Sequence, residues 1–538
     1  MRHFIGLAPI VAALLLAGCG GGGSDTGGST TTDNSGGRGS LQYNPPLRVT
    51  GLSASDFQAQ LSASTTGKGL LAVAGTPKCG VNFHYIQYGT VGGAGEATNG
   101  TGALMVPTGT DAACTGARPI VLYAHGTTTA KAYNIANILD SSNDAYGESA
   151  LVAAAFAAQG FIVVAPNYAG YDASKLSYHP YLNADQESKD MIDALTAART
   201  ALPNVGGTDS GKLFITGYSQ GGHVAMATHR ALQALGKSVT ASAPLSGPYA
   251  LAALVDAVYY GNVNLGSTIF TPMLTTSYQK AYGNLYNSTT DIYSSNFATG
   301  IDTLLPSTSS LSTLLSQGKL PQTALFSSTP PTAPAGSPAA LQATLNAITP
   351  PTTPAAQAPL FALGFGSNPL VTNNARLAFL LDAMANPDGA VPTTTTGLPA
   401  SAPSNTLRQA FKTNDLRGWT PTRPVLMCGG NGDPTVFYSV NTQLMAKLWS
   451  APSPLAMGTG LLNVLDVDSA VTSASDPFAA AKVGFATLKA STAAAAVAAG
   501  ATDGGASAVV QAYHGSLVPP FCTVAARGFF QQVLAAGL

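Results

Sequence analysis

The stretch Lys212-Leu213-Phe214-Ile215-Thr216-Gly217-Tyr218-Ser219-Gln220-Gly221-Gly222-His223 decides how this chain is read. Its opening residues make an apolar, β-branched run of the kind that forms a buried strand. The pattern G-x-S-x-G follows at once. The segment from Gly222 to Leu235 then reads as a helix, with Val224, Ala225, Ala227, Ala231 and Leu232 available for packing. A strand that turns sharply into a helix lifts the Ser219 hydroxyl to the top of a sheet. Glycines two positions either side of the serine permit the turn, because a Cβ there would strike the neighbouring strand or helix. The N–H of Gln220 then lies at a helix N-terminus, where it can stabilise negative charge. In a chain with 59 glycines the five-residue pattern alone carries little; the strand before it and the helix after it give it weight.

Working outward, apolar strands alternate with helical stretches. A hairpin is expected over Val81 to Thr90 and Gly102 to Pro107. Strands follow at Pro119 to Ala124, Phe161 to Pro166, Ser238 to Leu245, Pro424 to Cys428 and Leu461 to Val467. Between them, Ser149 to Gln159 is an alanine-rich helix. Asp185 to Leu202 is another, with Met191, Ile192, Leu195 and Ala198 on its apolar face. Continuous apolar strands separated by helices predict an α/β fold: a mostly parallel central sheet with helices on both faces, and a site at the carboxyl ends of the strands. The interval between Leu245 and Pro424 is far too long for a simple connection. Leu251 to Tyr260 and Arg376 to Met384 look helical within it, and Ser327 to Pro359 is a Pro/Thr/Ser-rich run. We read residues 249–420 as an inserted cap, between a first core segment, 41–248, and a second, 421–538. Leu41 to Lys78 reads as an irregular or helical lead-in, and Asp476 to Val510 as an alanine-rich helical excursion. There is no internal repeat.

The chain has 538 residues, 9% of them charged, and a formal net charge of −1. No basic run or patch is visible, which argues against nucleic acid as a partner. Residues 1–19 carry Arg2, then a short apolar stretch, Phe4 to Leu16, too short to span a bilayer. The stretch ends Leu16-Ala17-Gly18-Cys19, which resembles the bacterial lipobox. That resemblance implies a lipidated Cys19 as the mature N-terminus, anchored in the cell envelope. Gly20 rather than aspartate after it implies the outer membrane. Residues 20–40 are Gly/Ser/Thr-rich and cannot bury a core; they are expected to be a flexible tether with a reach of about 25 Å. Four cysteines remain, and an even count in an exported chain predicts two disulfides. Of the three possible pairings we favour Cys79–Cys114, which bracket the hairpin. Cys428 then pairs with Cys522, following two segments expected to meet at the active site.

A serine hydroxyl is a poor nucleophile until a base takes its proton, and that base is usually a histidine oriented by a carboxylate. In chain order the acid and the histidine are expected after the serine. Beyond the elbow helix, which carries His223 and His229, the only histidine is His514, in a glycine-containing loop before the last helix. His223, one turn from Ser219, is read as structural or as a supporting donor. His125 is read as structural. The acid is Asp433, in the loop Gly429-Gly430-Asn431-Gly432-Asp433-Pro434, with Asp466 and Asp468 as rivals. Oxyanion donors are expected from the backbone of Gln220 and from Thr127, in His125-Gly126-Thr127. No H-E-x-x-H, paired C-x-x-C or phosphate-binding loop is present, so no metal and no cofactor are expected.

These residues resemble the α/β-hydrolase superfamily. Gly217-Tyr218-Ser219-Gln220-Gly221-Gly222-His223, Pro166-Asn167-Tyr168-Ala169-Gly170-Tyr171 and His179-Pro180-Tyr181 look like the secretory lipase family and related bacterial lipoprotein esterases and lipases. The likeness covers residues 80–250 and, through the acid and histidine loops, 424–525. The family's usual aspartate in the second element is Asn167 here. The resemblance implies hydrolysis of small-molecule or lipid esters, with acyl preference set by the cap. No obligate protein partner is evident in the sequence, and contact with a membrane is expected through the N-terminal lipid anchor. Three alternatives stay open: an aminopeptidase-type serine peptidase, a hydrolase of aromatic or polymeric esters, and a catalytically silent surface-binding lipoprotein.

Overall fold

The computed structural model describes residues 37–537. The leader 1–19 with Cys19, and most of the tether, lie outside the described residues. Residues 37–40, assigned to the tether on composition, are held against the body. Gly39 N–H donates to the Gly89 carbonyl, and Arg38 Nε to Asp193.

The sheet has nine strands. In chain order they are β1 (Leu47–Leu52), β2 (Gly80–Val91), β3 (Ala97–Thr108), β4 (Arg118–Ala124), β5 (Ile162–Pro166), β6 (Asp209–Tyr218) and β7 (Ala241–Leu245). A separate two-stranded pair follows, β8 (Phe326–Ser327) and β9 (Phe365–Gly366). Then come β10 (Val425–Gly429) and β11 (Leu462–Asp466). The spatial order is β1-β2-β3-β5-β4-β6-β7-β10-β11. Strands β4, β5, β6, β7, β10 and β11 run parallel; β1, β2 and β3 extend the sheet antiparallel. β5 and β7 are buried along their whole length, as strands covered on both faces must be. Helices Ala184–Ala201 and Gln220–Ala234 pack against each other and the sheet; Val518–Ala535 packs against the sheet and against Tyr146–Ala155. β1 corrects the expected lead-in: a six-residue strand pairs with the edge of β2 before helices Ala54–Ser62 and Thr65–Ala74 begin. With Leu47 exposed at the edge, it carries no buried stripe for periodicity to detect.

At the end of β6 the chain turns through Ser219 at φ 60°, ψ −121°, a strained conformation for a residue with a Cβ. The turn brings the start of the next helix onto β4. A Cβ at Gly221 would lie 1.9 Å from the Ala124 carbonyl oxygen, and one at Gly217 2.4 Å from the Gly221 oxygen. Both glycines are therefore demanded by close approach of backbone to backbone.

Both expected disulfides are present, Cys79–Cys114 at the open end of the β2–β3 hairpin and Cys428–Cys522 between β10 and the last helix. Between β7 and β10 the chain builds its own apolar cluster, including Val258, Met273, Tyr278, Phe326 and Phe379. Its main helices are Leu251–Tyr259, Ser267–Tyr282, Asn373–Ala385 and Thr406–Asn414. The Pro/Thr/Ser-rich run holds one helix, Ala339–Ala347. Buried Arg408 joins Asp256 to Asp382, and buried Arg417 joins Asp388 to Asp415. Each ties helices or loops distant in sequence. Cutting one partner from such a pair leaves an uncompensated buried charge, which costs about 3–5 kcal/mol.

Two stability measurements test this account. Gly221→Ala should lose about 3 kcal/mol or more, the upper range for overpacking. Gly418→Ala, whose Cβ meets nothing within 4 Å, should leave the melting temperature unchanged. Replacing Cys428 and Cys522 together by alanine opens a 94-residue separation and should cost roughly 4–5 kcal/mol in the chain-entropy limit. Denaturant titration under non-reducing conditions reads both.

Candidate active site

Ser219 stands half-buried at the carboxyl end of β6, where the elbow exposes its hydroxyl. His514 arrives from 295 residues further along the chain. Its Nε2 lies 2.7 Å from Ser219 Oγ, and its Nδ1 lies 2.6 Å from Asp433 Oδ2. The Asp433 side chain is almost wholly buried. Its other oxygen accepts from the N–H groups of Thr435 and Val436, at 2.9 and 3.0 Å. Those two amides aim the carboxylate, so Oδ2 is left for the imidazole. With Nδ1–H donating to the carboxylate, Nε2 is bare and faces the hydroxyl as an acceptor.

The histidine is not in the expected loop. Residues Tyr513–Leu517 form a π-helical turn joining helix Ala506–Ala512 to Val518–Ala535. The wider turn sets His514 off the regular helical spacing, as such turns often do at functional sites. Tyr218 Oη donates to the His514 carbonyl at 2.6 Å, and so pins the histidine backbone to the residue before the serine.

The two rival aspartates make their hydrogen bonds to groups other than the imidazole and tie down the acid loop. Asp466 accepts from Asn431 N–H and Nδ2. Asp468 is paired with Lys489 and accepts from Tyr513 Oη, which itself accepts from Gly432 N–H. His125 is fully buried, stacked between Tyr133 and Tyr168, with its ring nitrogens on the carbonyls of Gly126 and Asn167. Asn167 donates to Thr101 Oγ1 and accepts from Ile135 N–H. A carboxylate could do only the second, which accounts for an amide at this position.

Gln220 begins the elbow helix, directly after Ser219. The loop after β4 lies alongside: a Cβ at Gly126 would be 3.9 Å from the Ser219 Cβ. Thr127 Oγ1 is 2.8 Å from Tyr181 Oη. Sequence reasoning missed what lies beneath Gln220. Its Nε2 donates to Glu187 Oε1 at 2.7 Å and to His179 Nε2 at 2.6 Å. Burial pushes the Glu187 acid well above the usual carboxylate range and the His179 ring down to about 3. The signal was available. Glu187 shares the apolar face of its helix with Met191 and Ala194, a place where a charged residue is out of pattern.

Ser219 opens into a cavity of about 710 Å³, open solvent at its mouth included. Its far walls are Leu251 and Val255, Phe270 and Leu274, and Leu407 and Phe411, all from helices between β7 and β10. None of the lining residues is charged. Among the described residues no group of three His, Cys, Asp or Glu side chains is arranged to hold a metal ion, and no helix is long and apolar enough to cross a membrane.

The model of the prolyl oligopeptidase family (peptidase family S9) matches residues 148–261, a stretch that contains the elbow. No curated protein matches the sequence. Among solved structures, a ligand-bound form of the rice cell wall degrading esterase LipA from Xanthomonas oryzae is similar, with a TM-score of 0.62 and 23% identity over 93% of this chain and 100% of that one. Another structure of that enzyme shares 25% identity at a TM-score of 0.56, covering 83% and 95% of the two chains. A protein from Legionella pneumophila, provisionally described as a hydrolase, aligns at a TM-score of 0.58 and 17% identity over 92% and 98%. The chain has the α/β-hydrolase fold, with a resemblance to lipases and esterases.

Proposed function

We propose that this chain is an exported serine hydrolase of carboxylic esters. The observation that carries the reading is the continuous hydrogen-bonded series Ser219–His514–Asp433 opening into an uncharged, apolar cavity. Ser219 Oγ attacks the ester carbonyl while His514 Nε2 takes its proton. Asp433 holds the ring in the right tautomer and stabilises the imidazolium. The backbone N–H groups of Gln220 and Thr127 receive the oxyanion. His514 returns the proton to the leaving alcohol, and water deacylates Ser219 by the same steps in reverse. Residues 249–420 act as the cap and supply the acyl wall; 41–248 and 421–538 make the catalytic core. Cys19 carries the lipid anchor that holds the enzyme in the cell envelope, the outer membrane rather than the inner. The two disulfides fit an oxidising compartment.

A peptidase is the second reading, favoured by the family match over residues 148–261. Recognition of a free amine calls for acidic groups at the site. The buried carboxylates between β7 and β10 are instead spent on Arg408 and Arg417, which favours esters.

Replacement of each candidate in turn tests the assignment. Ser219→Ala should lower kcat on p-nitrophenyl esters by on the order of 10⁴-fold or more, and Asp433→Ala by about 10³-fold. Asp466→Ala and Asp468→Ala should stay within about tenfold of the parent. A larger loss at Asp468 than at Asp433 would move the acid assignment.

The cavity makes a second prediction. Aliphatic and aryl acyl esters should be turned over. An ester with a carboxylate at the end of the acyl chain should be slower by on the order of a hundredfold, since nothing in the cavity repays the desolvation of a charge. Turnover of aminoacyl anilides without esters would identify a peptidase. Absence of both, with no fluorophosphonate adduct on Ser219, would identify a silent binder.

A further inference from the structure

One buried acid has no place in the proton path through Ser219. Glu187 lies in the first turn of helix Ala184–Ala201 and has no exposed surface. Its Oε1 accepts twice, from Gln220 Nε2 at 2.7 Å and from Leu182 N–H at 3.2 Å. Its Oε2 has no hydrogen-bond partner. It faces Nδ1 of His223 at 3.9 Å, and that nitrogen is also without a partner. The two orphaned atoms are therefore turned toward each other in the buried interior, where unpaired polar atoms are rare and costly.

The surrounding groups say which species is present. His223 Nε2 lies 2.9 Å from the Asn414 carbonyl. A carbonyl only accepts, so Nε2 carries a proton, and in the neutral ring Nδ1 is bare. On the other side, His179 Nδ1 donates to the Ala169 carbonyl at 2.9 Å, leaving its Nε2 to accept from Gln220. The Gln220 amide thus gives one hydrogen to His179 and one to Glu187. Among the described residues no lysine or arginine pairs with Glu187; its charge partners within reach are the two histidines. The other titratable groups facing it are the phenols of Tyr168, Tyr171, Tyr181 and Tyr278. One proton, on Oε2 or on Nδ1, is what the two orphaned atoms lack; at 3.9 Å no hydrogen bond joins them, and the neutral acid beside the neutral ring avoids a buried pair of charges that no hydrogen bond would join. Burial acts the same way on both groups, raising the acid and lowering the His223 ring to about 4.

We infer that Glu187 is a positioning residue held as the neutral acid, its proton on Oε2 directed at His223, and that it fixes Gln220 so that the backbone N–H of that residue stays on the oxyanion. The inference rests on the reading of Ser219 as a nucleophile. The acid form matters because a carboxylate directly beneath the elbow would oppose the negative charge that forms on the substrate. The neutral acid keeps the two acceptor contacts and removes the opposing charge.

Two readouts test it. The first needs no turnover. Infrared difference spectra between the intact protein and Glu187→Gln at neutral pH should show a protonated-carboxyl stretch present only in the parent; a carboxylate band in its place overturns the inference. Stability gives the same sign. The folded parent keeps a proton that the unfolded chain releases above the ordinary glutamate range, so parent stability falls relative to Glu187→Gln as pH rises.

The second is kinetic. Glu187→Leu should lower kcat on an acyl ester about thirtyfold, less than outright loss of an oxyanion donor, with KM changed by less than about threefold. Glu187→Gln should recover kcat to within about threefold of the parent. Gln220→Ala should add little to Glu187→Leu, because both act through one contact. A Glu187→Gln variant as slow as Glu187→Leu overturns the inference, as do fully additive losses. If Glu187→Leu does not fold, the infrared band and the Glu187→Gln and Gln220→Ala rates decide. A parent that hydrolyses no ester and takes no fluorophosphonate on Ser219 fails the hydrolase reading, and the role of Gln220 falls with it. Failed kinetics in a parent that labels at Ser219 sink this inference alone.

Discussion

The fold depends on one close approach: the backbone of the elbow helix lies against the end of β4. Only a residue without a Cβ can stand at Gly221, because the Ala124 carbonyl occupies the space. That contact holds Ser219 at a positive φ. A strained residue of this kind persists only when its surroundings over-determine it. Here the Ser219 N–H is bound to the Leu245 carbonyl, and its own carbonyl accepts from Gly222 and His223. The result is a hydroxyl raised clear of the sheet on a backbone that cannot relax.

The partners of that hydroxyl come from the far end of the chain and are fastened to the same rim by independent ties. Cys428–Cys522 joins the strand that leads to Asp433 with the helix that follows His514. Tyr218 holds the His514 carbonyl, and Tyr513, the residue before it, holds Gly432 of the acid loop. Asp466 and Asp468 act in the same frame. Charge is used here to aim a loop, and only Asp433 is left with an oxygen facing the imidazole.

The layer between β7 and β10 follows a different rule. Its buried carboxylates are paired with Arg408 and Arg417, its buried Arg376 donates to the Tyr259 and Ile348 carbonyls, and none of the residues it turns toward Ser219 is charged. Buried ion pairs of this kind contribute little net stability, but they are intolerant of a missing partner and so favour one arrangement of helices. Apolar wall and fixed arrangement together give the cavity its shape.

The strand–turn–helix at Ser219, the alternation of strands and helices and the hairpin bracketed by Cys79 and Cys114 are local features. Apolar periodicity and glycine spacing record them directly, and for that reason they were legible in the sequence. β1 was not, because an edge strand with an exposed leucine has no buried stripe. Nor was the π-helical turn at His514, since the winding of one turn depends on packing against Tyr218 and Phe485 rather than on composition. Asp433 could be separated from Asp466 and Asp468 only by direction, and direction is set by which amides and cations each carboxylate meets across the fold. Glu187 shows the same limit. Its place on an apolar helical face is written in the chain, and Leu182 is its near neighbour there, but Gln220 and His223 come from the elbow helix, and only their convergence in the buried interior gives the acid its surroundings.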